Sequence, residues 1–155
     1  MRIRKFKPDD AQALKQITAE TFENTSIDKN IEDMFGLLNG TNWVQRKLRH
    51  IDADIAANAE GIFVAEEEGE VIGYITTVLD RETLLGRIPN MAVARAHQGK
   101  GVGKALMAAA LEYLRAQGME HAKIEALEQN KVATTFYPRV GFREVARQIH
   151  YVMKL

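Results

Sequence analysis

Residues 96–106 read AHQGKGVGKAL. Three glycines and two lysines follow an apolar stretch, IPNMAV (88–93), and run into apolar residues at helical spacing. The segment therefore reads as a strand, a glycine-rich turn and a helix start. Such a turn is a general anion site, because the unpaired N–H groups and the positive end of a helix point at the ligand. The spacing of the glycines decides which anion. A Walker A loop, G-x-x-x-x-G-K-[ST], fails twice: Gln98 stands at the first glycine, and Ala105 stands where Ser or Thr would hold magnesium. A dinucleotide fingerprint, G-x-G-x-x-G, fails as well, because its third glycine falls on Lys104, or on Leu106 when the count starts at Gly101. Triphosphate hydrolysis and nicotinamide chemistry lose their support.

Downstream of the turn, Val102, Ala105, Leu106, Ala109, Ala110 and Tyr113 form one helical stripe, and Gly118 suits its C-terminal stop. AKIEAL (122–127) is the next strand, and a helix between it and IPNMAV makes the two parallel neighbours joined by a right-handed crossover. Upstream, GIFVA (61–65) and VIGYITTV (71–78) flank EEEGE and read as an antiparallel hairpin, with Glu66 to Glu68 a solvated edge. DRETLLGR (80–87) is a second break. Near the start, Ile3–Phe6 is a short strand, and Pro8, Asp9 and Asp10 open a helix that buries Leu14, Ile17 and Phe22. Helical patterns through Ile31, Met34, Phe35 and Leu38, and from Trp43 to Ile55, supply one wall of a cleft. FREVA (142–146) and IHYVMKL (149–155) read as two final strands. The sum is an α/β domain spanning 1–155: a mixed, mostly antiparallel sheet of about six to seven strands with helices on both faces.

At 155 residues the chain is long enough to bury one core. Lys plus Arg and Asp plus Glu both number 21, so no global field draws in nucleic acid or an anionic membrane. The absence of cysteine excludes disulfides, thiolate zinc sites and a thiol nucleophile. The start, MRIRKFKPDD, lacks the apolar run of a signal peptide, and no stretch reaches the roughly 18 apolar residues of a membrane span. These features point to a soluble, cytoplasmic protein. His50, His97, His121 and His150 are scattered without ligand spacing, so no metal site is expected.

Gln98-Gly99-Lys100-Gly101-Val102-Gly103, preceded by Met91 and Val93 at a strand end, resembles the Q/R-x-x-G-x-G/A signature of the GNAT family of N-acetyltransferases. Residues 130–142, NKVATTFYPRVGF, resemble that family's second motif through Asn130, Ala133, Phe136, Tyr137, Gly141 and Phe142. The likeness is good over roughly residues 62–155, and agrees only in the order of elements before that. It implies the GNAT fold, with the fourth and fifth strands, IPNMAV and AKIEAL, splaying apart around acetyl-coenzyme A. The cofactor's diphosphate would lie on the 98–104 turn, where a side chain at Gly101 or Gly103 would obstruct it. Lys100 and Lys104 either add charge there or are solvated helix-start lysines.

The resemblance further implies oxyanion donors among the backbone N–H groups near Met91, Val93 pairing with the pantetheine arm like an added strand, and cofactor contacts from Met91, Ala92, Asn130, Ala133 and Phe136. Asn130 also suits an N-cap. Tyr137, two helical turns after Asn130, would protonate the departing thiolate, since a phenol near pKa 10 is neutral at pH 7. Many relatives carry a glutamate base on the fourth strand, but Ile88-Pro89-Asn90-Met91 offers only an amide. Glu125, Glu20, Glu23, Asp80, Glu82 and a water chain stay open as the base. Arg95 replaces a proline that many relatives carry.

The acid-rich segment with Glu20, Glu23, Asp28, Glu32 and Asp33 leans toward a small cationic amine as acceptor. A protein or peptide amine is the alternative, distinguished by a groove rather than a closed pocket. A non-catalytic acetyl-coenzyme A sensor is a third reading, against which Tyr137 argues. A nucleic-acid-binding domain lacks the basic charge and interleaved aromatics. The resemblance favours a homodimer over a monomer.

Overall fold

The computed structural model describes all of residues 1–155. Strands β1 (Arg2–Lys5), β2 (Phe63–Glu67), β3 (Glu70–Ile75), β4 (Val78–Asp80), β5 (Leu85–Ile88), β6 (Met91–Val93) and β7 (His121–Ile124) alternate with helices α1 (Ala11–Thr21), α2 (Ile27–Phe35), α3 (Trp43–Asn58), α4 (Val102–Ala116) and α5 (Lys131–Val140). One sheet has the order β1-β2-β3-β6 and is antiparallel throughout. The other has the order β4-β5-β7, with β5 antiparallel to β4 and parallel to β7. The predicted hairpin turns at Glu68-Gly69, both at positive φ (52° and 86°), as a tight two-residue hairpin requires. Glu66 is not a free solvated acid: its carboxylate takes Arg2 Nε at 3.0 Å and Arg4 Nε at 2.6 Å.

Two predicted strands are each split. VIGYITTV leaves β3 and enters β4 through Thr76-Thr77, and the opposing chain leaves β5 and enters β6 through Pro89-Asn90. Proline has no N–H to give the ladder, which favours a break at that point. The two breaks lie side by side, with the Thr76 N–H donating to the Asn90 carbonyl at 2.9 Å and the Asn90 N–H donating to Thr76 Oγ1 at 3.0 Å. The break predicted over 80–87 is shorter than expected, because Leu85, Gly86 and Arg87 already belong to β5. Parallel pairing between β5 and β7 runs only from Leu85↔His121 to Ile88↔Ile124. Beyond it β6 keeps β3 on one side and has no strand on the other. This is the splay.

Side chains alternate across the first sheet. Val64, Tyr74 and Ala92 face α1 and α3, where Leu14, Ile17 and Ile51 complete a core. The Tyr74 hydroxyl is satisfied there by Thr18 Oγ1 at 2.6 Å. Ala65, Ile75 and Ile88 face α4, whose buried stripe is Val102, Leu106, Met107, Ala110 and Leu114. That stripe is rotated from the predicted one: Met107 and Leu114 replace Ala105 and Ala109, since larger side chains fill more of the space over the sheet. Phe22 lies just past α1 and is only half-buried.

The two C-terminal strands are absent. No backbone hydrogen bond involves Arg143–Leu155, and the outer edge of β7 is unpaired. Val145, Ile149, Tyr151 and Met153 keep the alternation of a strand but are exposed. Alternation alone makes no strand without a partner edge. The tail is tied instead by Arg147, which bridges Glu144 and Glu128 at 2.8 and 2.9 Å.

Candidate active site

The 98–104 turn has the geometry of an anion cradle. Gly99 and Gly101 take φ of 74° and 82°, which L side chains avoid, and they set the turn that opens α4. No side chain caps α4, and no backbone N–H from Gly99 through Lys104 finds an acceptor in the chain. The fold itself does not demand Gly103: a Cβ there would meet Met91 Cε at 3.8 Å and Val93 Cγ2 at 4.0 Å, both ordinary contacts. Lys100 and Lys104 are exposed and form no ion pair with any carboxylate of the chain. Gln98 has an internal task, its Nε2 donating to the Val93 carbonyl at 2.9 Å and so tying the turn to β6. The Arg95 N–H donates to Glu20 Oε1 at 2.9 Å, a bond that proline could not make.

The cradle opens beside the splay. Even-numbered residues of β6 and its flanks bond to β3, as in Ala94 N–H to Ile72 carbonyl at 2.9 Å, so the N–H groups of Met91 and Val93 point away from β3 into the gap. The side chains of Met91, Val93, Phe136 and Tyr137 pack on the same core as Val102, on the face of α4 and α5. Ala133 is buried in the first turn of α5. Asn130 caps that helix, its Oδ1 accepting from the Ala133 N–H at 3.1 Å while its Nδ2 has no partner. Tyr137 sits between Phe136 and Phe142, with ring centroids 5.8 and 6.1 Å away. Its hydroxyl makes no hydrogen bond within the chain, and burial pushes its pKa up to about 12. Tyr137 and the strand end beside the turn thus pack on one core, and the run of free N–H groups could hold an anion.

On the opposite face, a cavity of about 410 Å³ lies between α3 and the place where β5 and β7 part. Its wall includes Asp54, which the motifs of the sequence do not single out. Asp54 lies three residues after Ile51 on the buried stripe of α3, and an acid on an apolar stripe was the available signal. Its Oδ2 accepts from Thr76 Oγ1 and from Asn90 Nδ2, both at 2.7 Å. Asn90 Oδ1 in turn accepts from Lys47 Nζ at 2.7 Å. Burial lowers the Lys47 pKa, partly opposed by Asp28 and Asp54, and its ammonium also sits 4.2 Å over the Phe22 ring.

Of the five acids left open as the base, Glu125 alone lines this cavity, and Lys123 at 2.8 Å holds its pKa low. Asp80 instead organises its own turn, accepting from Thr83 Oγ1 at 2.7 Å and from the Thr83 and Glu82 N–H groups. Glu20 and Glu23 both engage Arg95. Glu82 is exposed in the turn.

Comparison with known proteins adds three findings. The family described as "Acetyltransferase (GNAT) family" matches residues 14–142. A mycothiol acetyltransferase of Streptomyces avermitilis is 36% identical over 98 residues, 63% of this chain and 32% of that protein, and an N-alpha-acetyltransferase MAK3 of Arabidopsis thaliana is 30% identical over 93 residues, 59% and 49% respectively. The chain thus spans about a third of the first relative's length and half of the second's. A GNAT family acetyltransferase from Brucella melitensis, solved with acetyl-CoA, superposes with a TM-score of 0.65 at 28% identity, over 92% of this chain and 82% of that one.

Proposed function

The chain belongs to the acetyltransferase (GNAT) family, and from that premise we propose that it is an N-acetyltransferase moving an acetyl group from acetyl-coenzyme A to a primary amine, as a single domain. The observation that carries the reading is the run of unpaired N–H groups from Gly99 through Lys104, opening beside a gap into which Met91 and Val93 point theirs. In this reading the turn holds the diphosphate, and Lys100 and Lys104 add charge. The Val93 N–H on the free edge of β6 and Asn130 Nδ2 orient the pantetheine arm, with Ala133 and Phe136 as its apolar wall. Acetyl-coenzyme A supplies an acyl group already activated as a thioester. The Met91 N–H stabilises the oxygen that gains charge as the amine attacks. Tyr137 holds its proton across the physiological range and gives it to the leaving sulfur.

A small-molecule acceptor is supported by the polar cavity of about 410 Å³ beside Asp54. The lean toward a polycation loses its basis, because the acids behind it are already engaged: Asp28 and Glu32 by Arg46, Asp33 by Lys29, and Glu20 and Glu23 by Arg95. A peptide amine is favoured by a different feature, an open apolar groove of about 590 Å³ between α2, residues 127–131 and the tail. Release of free thiol from acetyl-coenzyme A, measured against aminoglycosides, amino acids, thiol-bearing amino sugars and short peptides, tests both. Turnover confined to small amines supports the first reading, and turnover confined to peptides replaces it with the second. A homodimer and a cytoplasmic location complete the proposal. The unpaired β7 edge and the exposed apolar tail support association of two copies, which light scattering of the full chain measures.

A further inference from the structure

Asp54 is 7% exposed, and a carboxylate taken out of water is costly unless it is paired. The chain gives it no ion pair. Lys47, the cation at hand, donates to Asn90 instead of to Asp54. Asn90 and Thr76 saturate one oxygen, Oδ2, and fix the plane of the carboxylate. The other oxygen, Oδ1, has no partner in the chain, yet it is not among the side-chain atoms sealed from solvent. It belongs to a residue lining the cavity whose floor is Ile88, Pro89 and Asn90, where parallel pairing with β7 ends. The next residue is Met91, whose N–H enters the gap from the same stretch of chain.

We propose that Asp54 is the acceptor-amine residue of this enzyme: its Oδ1 binds the amine in the cavity and takes the proton that the nitrogen sheds on attack. The assignment rests on the acetyl-transfer reading and supplies the base that the amide at Asn90 cannot. The nitrogen lone pair forms the C–N bond to the acetyl carbon while the C–S bond breaks. One N–H proton goes to Asp54 Oδ1, the sulfur receives one from Tyr137, and water returns the proton from carboxyl to phenolate, with no change in oxidation state. Lys47 and His50 of α3, Arg87 of β5, Lys123 of β7 and Glu125 just past it line the same cavity, and Asp54 is the acid among them buried without an ion pair.

Asp54→Asn is the direct test, since its amide oxygen can keep both inward bonds while an NH2 replaces Oδ1. With the best amine of the panel, kcat/KM is expected to fall by about 100-fold or more, with acetyl-coenzyme A affinity unchanged. With a weakly basic acceptor such as an alkoxyamine, the loss shrinks to less than about tenfold, a split that a merely structural role would not give. An active wild type with an equally active D54N overturns this assignment alone. A wild type that releases no thiol with any amine overturns the transfer reading and this assignment with it. Should D54N not fold, Thr76→Val removes one of the two donors that fix the carboxylate plane, and kcat/KM for the amine is expected to fall about tenfold with acetyl-coenzyme A affinity unchanged; an unchanged kcat/KM overturns the proposal.

Discussion

The Asn90 side-chain nitrogen lies 2.7 Å from the Asp54 carboxylate, in the stretch Ile88–Met91 where many relatives of this family carry a glutamate. On the proposed assignment the base stands on helix α3, and the strand side carries an amide that orients it. Because the same amide accepts from Lys47, Asn90→Ala removes the partner of two buried polar groups at once. The variant is expected to lose about 1–3 kcal/mol of stability in urea titration at pH 7. A loss near zero would show that the network contributes nothing to holding these polar groups out of water.

Tyr137→Phe removes a hydroxyl that makes no hydrogen bond within the chain, so stability should change little. The kcat is expected to drop by about 100-fold with acetyl-coenzyme A binding intact. Burial raises the phenol to about 12, so the proton needed for donation is lost only near that pH. The kcat–pH profile should therefore show no alkaline fall up to about pH 10.5 from this group. An earlier fall, abolished in the Phe variant, would contradict the assignment.

Gly103→Ala separates binding from folding. Its Cβ meets nothing closer than 3.8 Å, and alanine is a better helix former than glycine by up to about 1 kcal/mol. Thermal stability should hold or rise, while the dissociation constant for coenzyme A, read by calorimetry, rises about tenfold or more because backbone approach is blocked. Unchanged affinity would remove the diphosphate from this turn.

Asp10 illustrates a purely structural charge. The hydrogen bonds from Arg4 at 2.7 and 2.9 Å, with the Lys7 N–H at 2.7 Å, hold its pKa below the usual aspartate value against the opposing effect of burial. A folded pKa below the unfolded one gives stability that is present above about pH 4 and is lost as pH falls through the folded value. Asp10→Asn should be less stable than wild type at pH 7, and the gap should close only as pH falls through the lowered folded pKa of Asp10.

The parts of this fold that depend on local chemistry were legible in the sequence. The 98–104 turn and the Glu68-Gly69 hairpin follow from glycine placement and alternation, whereas the parallel pair was placed one stretch late: β7 pairs with Leu85–Ile88, all but Ile88 of it read as a break, and not with Met91–Val93. The breaks at Thr76-Thr77 and Pro89-Asn90 were not, although Pro89 marked one of them, because a strand split needs its opposing partner to be known. Asp54 was missed for a related reason: its importance comes from Thr76 and Asn90, 22 and 36 residues away in the chain. The tail, by contrast, had the alternation of a strand and no edge to pair with.

The most direct measurement is a single-turnover assay of free thiol with excess protein over acetyl-coenzyme A, run with and without the amine panel, for wild type and Tyr137→Phe. Amine-dependent thiol release is expected, with acetylated amine in equal amount by mass spectrometry, and a rate about 100-fold lower in the variant. Tight cofactor binding with no amine-dependent release in the wild type would contradict acetyl transfer and leave a protein that binds acetyl-coenzyme A without passing on its acetyl group.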